Sequence, residues 1–158
     1  MVFITLGSQK FQFDRLLKAV DELVAAGRLQ EEIFAQIGYS DYKPQHYAYQ
    51  DFLDREKFTQ RMEEADIVVT HGGTGAIIGA VKKGKKVIAI PRLAKYGEHV
   101  DDHQVQIIEQ FKELDLICAC MDVDQLEASF AFVKDAKFKE YVSNTQTIID
   151  SIEAFLEE

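Results

Sequence analysis

The densest chemistry in the chain is the run Thr70-His71-Gly72-Gly73-Thr74-Gly75-Ala76-Ile77. It lies between the apolar run Ile67-Val68-Val69 and a segment with helical character. A loop that leaves a strand and opens a helix gathers free backbone N–H groups and the positive helix end at one point, which suits an anion. Glycines let the backbone approach that anion with no Cβ in the way. A phosphate-bearing ligand is one reading. A tight turn that needs small residues is the other, and both stand on these residues alone. Three familiar loops do not fit. Gly73, Gly75 and Gly79 space as G-x-G-x-x-x-G after a middle strand, unlike the dinucleotide fingerprint, and no Gly-Lys-Ser/Thr occurs. No G-x-S-x-G nucleophile elbow accompanies the His-Gly-Gly triplet.

Two further polar groups follow apolar runs: Gly7-Ser8-Gln9 after residues 2–6, and Asp101-Asp102-His103-Gln104 in the segment after Pro91. Thr74 offers a hydroxyl, and His71 and His103 can donate to an anion when protonated, because histidine titrates near neutrality. His99 and His103 stand at i, i+4, a spacing that can hold zinc on a helix. No third ligand or water-activating carboxylate is signalled, so a solvated loop–helix junction is the expectation. Asp101 and Asp102 read as charges favoured at a helix N-terminus. Glu98 has no second carboxylate at a defined spacing, and His46 is given no role.

These groups need elements to hold them. Strands are expected over residues 2–6, 33–37, a short stretch near 46–49, 67–70, 86–90 and 116–120. Helices are expected between them. Leu16, Leu17, Val20, Leu23 and Val24 mark the first, with Asp14 as N-cap and Gly27 as stop. Others cover about 58–65, 76–83, 101–111 and 124–133. A last, amphipathic helix over about 138–157 carries Phe138, Tyr141, Val142, Ile148, Ile149, Ile152, Phe155 and Leu156 on one stripe. Strands alternating with helices give an α/β fold with a parallel sheet. Without a repeat, linker or low-complexity tract, residues 1–158 read as one domain.

The chain's 158 residues carry a net charge of -9, with 47% hydrophobic and 28% charged residues. That charge argues against a nucleic-acid partner and against direct adhesion to an anionic membrane. The cluster Lys82, Lys83, Lys85 and Lys86 is a local exception. No apolar run reaches the roughly 20 residues of a membrane span, and the N-terminus lacks the pattern of a signal peptide. Cys118 and Cys120 read as buried thiols on one face of a strand.

The run from Ala65 to Ile77, with Gly7-Ser8-Gln9 and Asp101-Asp102-His103-Gln104 in order at the ends of the right strands, resembles the C-terminal domain of family 28 glycosyltransferases. MurG-type GlcNAc transferases belong to that family. So do small stand-alone subunits, PssE-like in exopolysaccharide and capsule synthesis or catalytic in dolichol-linked GlcNAc transfer, and the likeness to these is closer. The resemblance implies a Rossmann-like parallel sheet with helices on both faces, equivalent to the C-terminal half of a GT-B enzyme. It also implies inverting hexose transfer from a UDP-sugar, with no essential metal or other cofactor. By the same likeness, Gly7, Ser8 and Gln9 meet the nucleotide, and His71, Gly72, Gly73, Thr74 and Gly75 form the diphosphate loop. Gln104 meets the donor sugar, with Asp102 and His103 beside it. One position departs: the glutamate that binds ribose in MurG-type enzymes is replaced by Gly79.

The family's general base comes from an acceptor-binding domain for which this chain has no room. The expectation is a membrane-associated partner subunit that presents a lipid-linked acceptor and supplies the base; the last helix is the candidate docking element, with packing back on its own domain as the other reading of its stripe. That would place the chain in the cytoplasm, peripheral to the inner face of the membrane, and able to self-associate when alone. The alternative is a non-catalytic nucleotide-sugar-binding accessory subunit.

Overall fold

The computed structural model describes residues 1–7 and 9–140; Ser8 and the part of the expected last helix beyond Glu140 lie outside the described residues. Six strands form one parallel sheet: β1 (Val2–Thr5), β2 (Ile33–Gln36), β3 (Ala48–Gln50), β4 (Ile67–His71), β5 (Lys86–Ile90) and β6 (Cys118–Ala119). Their order is β3-β2-β1-β4-β5-β6, the doubly wound arrangement in which the chain direction across the sheet reverses between β1 and β4. Five helices connect or follow them: α1 (Asp14–Ala25), α2 (Arg55–Glu64), α3 (Thr74–Lys82), α4 (His103–Glu113) and α5 (Leu126–Asp135).

Alternation along the strands builds a core on each face of the sheet. Val2, Ile4, Val69, Ile88 and Ile90 pack with Leu16, Leu17 and Val20 of α1 and with Leu126, Phe130 and Val133 of α5. Phe3, Val68, Val87 and Ala89 face the other way, onto Met62 of α2, Ile77 and Val81 of α3, and Ile107, Ile108 and Phe111 of α4. Cys118 and Cys120 are buried in the first of these clusters as free thiols. Phe138 packs on the same cluster, its ring 6.4 Å from that of Phe132.

Several expected boundaries move, each for a local reason. Asp14 is the first residue of α1 and does not cap it; its Oδ1 accepts the backbone N–H groups of Asp41 and Tyr42. Gly27, at φ 72°, does stop that helix: Arg28 N–H donates to Leu23 O and Gly27 N–H to Val24 O. α2 starts three residues earlier than expected because the Asp54 side chain caps Lys57 N–H at 2.8 Å. α3 starts at Thr74, while α4 starts only at His103, leaving Asp101 and Asp102 outside it. β6 keeps only two residues, with Leu116 and Ile117 packed in the second core cluster just ahead of it.

His46 also has a partner. Asp21, buried on α1, accepts bonds from Tyr42 Oη (2.6 Å), Gln45 N–H, His46 N–H and the His46 ring, and so pins the segment between β2 and β3. Burial works to raise its pKa, but these hydrogen bonds outweigh burial and hold it below the usual aspartate value.

Candidate functional site

All strands being parallel, their carboxyl ends share one edge, and the loops after β1 and β4 meet there at the reversal point. Ligands of such sheets bind in the crevice at this place. The structure brings together Gly7, the His71–Gly75 loop and the start of α4. The lysines 82, 83, 85 and 86 lie at the opposite edge, around the start of β5.

His71 and Gln104 tie the two later groups together. The Gln104 side chain is 2% exposed. Its Oε1 accepts Gly72 N–H and Arg92 N–H, both at 3.0 Å, and its Nε2 donates to His71 Nδ1 at 3.3 Å. Two backbone donors on one oxygen fix the amide orientation, and the contact to Nδ1 then puts the imidazole proton on Nε2. His71 is itself 5% exposed. Burial first, and the nearby Arg92 charge second, push its pKa down to about 3. Of the two readings open for His71, a donor when protonated or a ring packed under the loop, the burial favours the second, because placing a charge there would cost desolvation.

The glycines divide by what surrounds them. A Cβ on Gly73 would collide with the His71 ring, one on Gly7 would come 2.8 Å from His71 Nε2, and one on Gly72 would come 2.6 Å from Gln104 Cβ. These three are small because buried side chains pack against them. Gly75 and Gly79 are different: a Cβ on either meets nothing within 4 Å. They lie one turn apart on α3 and leave that stretch of its surface bare. Thr74 is the first residue of α3, with its side chain partly exposed, and Gly73 is the N-cap with no side-chain bond to the helix amides. Among the described residues no N-cap side chain bonds the amide end of α3.

Arg92 was not singled out in the sequence, yet it organises the site. Its residue is 1% exposed and its guanidinium donates to Leu6 O (2.6 Å), Phe11 O (3.0 Å) and Gln12 O (3.1 Å), with the Phe13 ring 5.1 Å away. Burial lowers its pKa to about 10, which leaves it charged at neutrality beneath the loop after β1. Glu98, fully buried, forms a bidentate pair with Arg15 at 3.0 Å and accepts Leu93 N–H, so it braces the segment after β5. The only sequence signal for either was a charged residue in a loop after a strand-ending proline.

The remaining site residues spread around the crevice. Gln9 is exposed. Asp102 points its Oδ1 at Ala94 N–H (2.8 Å) and gives no cap bond to α4. His103 is partly exposed and bonds Asp101 through its ring and its backbone N–H. The His99 ring lies tilted against Phe11 and edge-on to His103, at 5.1 and 4.7 Å between ring centroids. Asp101 thus supplies the third potential ligand that spacing had not signalled. Tyr39 and Phe52, exposed and 5.2 Å apart, stand just past the ends of β2 and β3 on the same edge.

Comparison with known proteins gives a consistent picture. The family model of the glycosyltransferase family 28 C-terminal domain matches residues 1–154. A human protein, "UDP-N-acetylglucosamine transferase subunit ALG13", is 25% identical over 130 residues, which is 75% of this chain and 11% of that protein. Two solved structures share the fold at 18% identity. The glycotransferase of kitacinnamycin has a TM-score of 0.61, over 86% of this chain and 35% of the other. Acinetobacter baumannii MurG has a TM-score of 0.60, over 96% and 49%. The chain thus spans about a tenth of the curated relative and half or less of each solved one.

Proposed function

Because the chain belongs to the family of the glycosyltransferase family 28 C-terminal domain, we propose that it is the donor-binding subunit of a heteromeric inverting transferase. In this reading it moves a hexose from a UDP-sugar to a lipid-linked acceptor. The observation that carries the reading is the meeting of Gly7 with the His71–Gly75 loop at the reversal point of the sheet, where α3 begins with no N-cap side-chain bond among the described residues. The name of the human relative, a transferase subunit with a UDP-sugar, supports both the donor and the dependence on a partner.

The diphosphate would sit against the amides of Gly73 to Ala76, with the Thr74 hydroxyl as a further donor. As the sugar–phosphate bond breaks, negative charge grows on the departing diphosphate. Fixed N–H groups and the helix end stabilise that charge without reorganising, and the buried Arg92 adds a positive potential from below. Neutral His71 contributes position, not charge. No metal or other cofactor is required by this chemistry. The general base that deprotonates the acceptor comes from a membrane-associated partner, which also brings the chain to the inner face of the membrane. Among the described residues no helix is long and apolar enough to cross a bilayer.

The test is calorimetric titration of the isolated chain with UDP, without metal, beside Gly75→Asp. Gly75 is the informative glycine: its surroundings accept a side chain, whereas Gly73 cannot be changed without striking His71. A carboxylate about 5 Å from a phosphate charge, at an effective dielectric near 20, opposes binding by about 3 kcal/mol. UDP affinity should fall about 100-fold with an unchanged melting temperature. Equal binding by both proteins would remove the diphosphate from this loop. If neither binds, the same titration on a co-expressed complex separates a pocket completed by the partner from a wrong reading.

A further inference from the structure

We propose that His99, Asp101 and His103 bind one divalent transition-metal ion, with zinc the best-fitting case. The inference stands apart from the transferase reading, because it rests on the ligand atoms alone. One donor atom from each of the three residues lies within 4.8 Å of the other two. All three come from a five-residue stretch leading into α4, so the cluster forms locally. The His99 side chain is 9% exposed and contacts the Phe11 and His103 rings.

One edge of the cluster already has the spacing of two metal ligands, while the other is closed by a hydrogen bond that an ion would have to replace. Asp101 Oδ1 lies 3.4 Å from His99 Nδ1, and the Asp101 N–H is directed at that same Nδ1 from 3.5 Å. The ring nitrogen and the carboxylate oxygen thus stand across a gap that is long for a hydrogen bond. Two ligands about 2.0–2.1 Å from a tetrahedral zinc stand about 3.4 Å apart, which is the gap found here. Asp101 Oδ1 also contacts His103 Nδ1 directly. His103 is 41% exposed in its side chain and can swing outward to admit the ion in place of the shared proton.

Two imidazoles and one carboxylate suit zinc, cobalt(II) or iron(II), whereas magnesium and calcium prefer shells of oxygen. Three protein ligands leave a coordination position for water or an anionic oxygen. The cluster also has a structural context. His103 precedes Gln104, which clamps Gly72, and Phe11 lies in the loop that Arg92 holds. An ion here would tie the start of α4 to the segment that follows β5.

The experiment uses the full chain without an affinity tag, stripped by a chelator and titrated with Zn²⁺ by calorimetry. Co²⁺ absorption in the visible range reports the geometry. The expected result is one equivalent bound in the micromolar range or tighter, with the strong visible bands of four-coordinate cobalt. His103→Ala should weaken binding about 100-fold and Asp101→Asn at least about 10-fold. Both side chains are largely exposed, so the variants should keep the parent circular dichroism spectrum. His46→Ala, at an exposed ring elsewhere, should bind as the parent does. Binding weaker than about 0.1 mM, an undiminished affinity in His103→Ala, or a loss in His46→Ala would each overturn the proposal.

Discussion

Replacing Gln104 with methionine separates a brace from a ligand contact. The resemblance gives this residue to the donor sugar, whereas the structure spends its side chain inside the protein. Methionine keeps the length and most of the volume, so packing changes little. It cannot accept as an amide oxygen does, so the Gly72 and Arg92 N–H groups, each bonded to Oε1 at 3.0 Å, lose their partner in a buried place. An unsatisfied buried donor costs about 1–3 kcal/mol, and two together about 4 kcal/mol. For a chain of this length 1 kcal/mol moves the melting temperature by about 2–4 °C, so the variant should melt about 10 °C lower. Urea unfolding gives the free energy, and UDP titration below the transition gives the ligand side. A stability within about 1 kcal/mol of the parent would refute the brace. If donor use then fell as well, Gln104 would be a ligand contact and the hydrogen bonds described here would not govern it.

Two other perturbations follow from the same geometry. Gly73→Ala and Gly79→Ala add the same methyl group, yet their effects should have opposite sign. The first drives a Cβ into the His71 ring and should destabilise by about 1–3 kcal/mol, while the second, exposed in α3 with free space around it, should stabilise by about 0.5–1 kcal/mol; paired thermal melts compare them. His71 titrates at about 3 when folded and near 6.5 when unfolded, so between those values the unfolded chain holds the extra proton. The stability linked to its neutral state is complete above about pH 6.5 and falls by up to about 1.4 kcal/mol per unit as pH drops toward 3. Urea midpoints at several pH values should therefore slope more steeply for the parent than for His71→Asn; equal slopes would refute the assignment.

The sheet was legible because its information is local. Val2 to Thr5, Ile67 to Thr70 and Lys86 to Ile90 are β-branched apolar runs bounded by turn residues, and each became a strand. The glycine loop was legible for the same reason, since its position between a strand and a helix can be read along the chain. Helix starts were less so. Arg55, Glu56 and Lys57 give no apolar periodicity, and α2 begins there only because Asp54 caps it. The interior of the site was not legible at all. His71 meets Gln104 across 33 residues, and Arg92 meets Leu6 across 86. Periodicity carries no record of such pairs. A histidine beside glycines reads equally as a donor to a ligand or as a ring packed under the loop until the fold closes over it. Gln104 reads as a ligand group until two backbone donors are found on its oxygen.

The three carbonyls held by Arg92 also bear on the order in which the molecule takes shape during synthesis. Leu6, Phe11 and Gln12 precede by 80 to 86 residues the guanidinium that fixes them, which lies just past the end of β5. Until β5 docks beside β4, the loop after β1 has only water for its carbonyls. The part of the chain made before β5 can therefore pair β1 with β2 and β4, but it lacks the cation that closes the loop after β1.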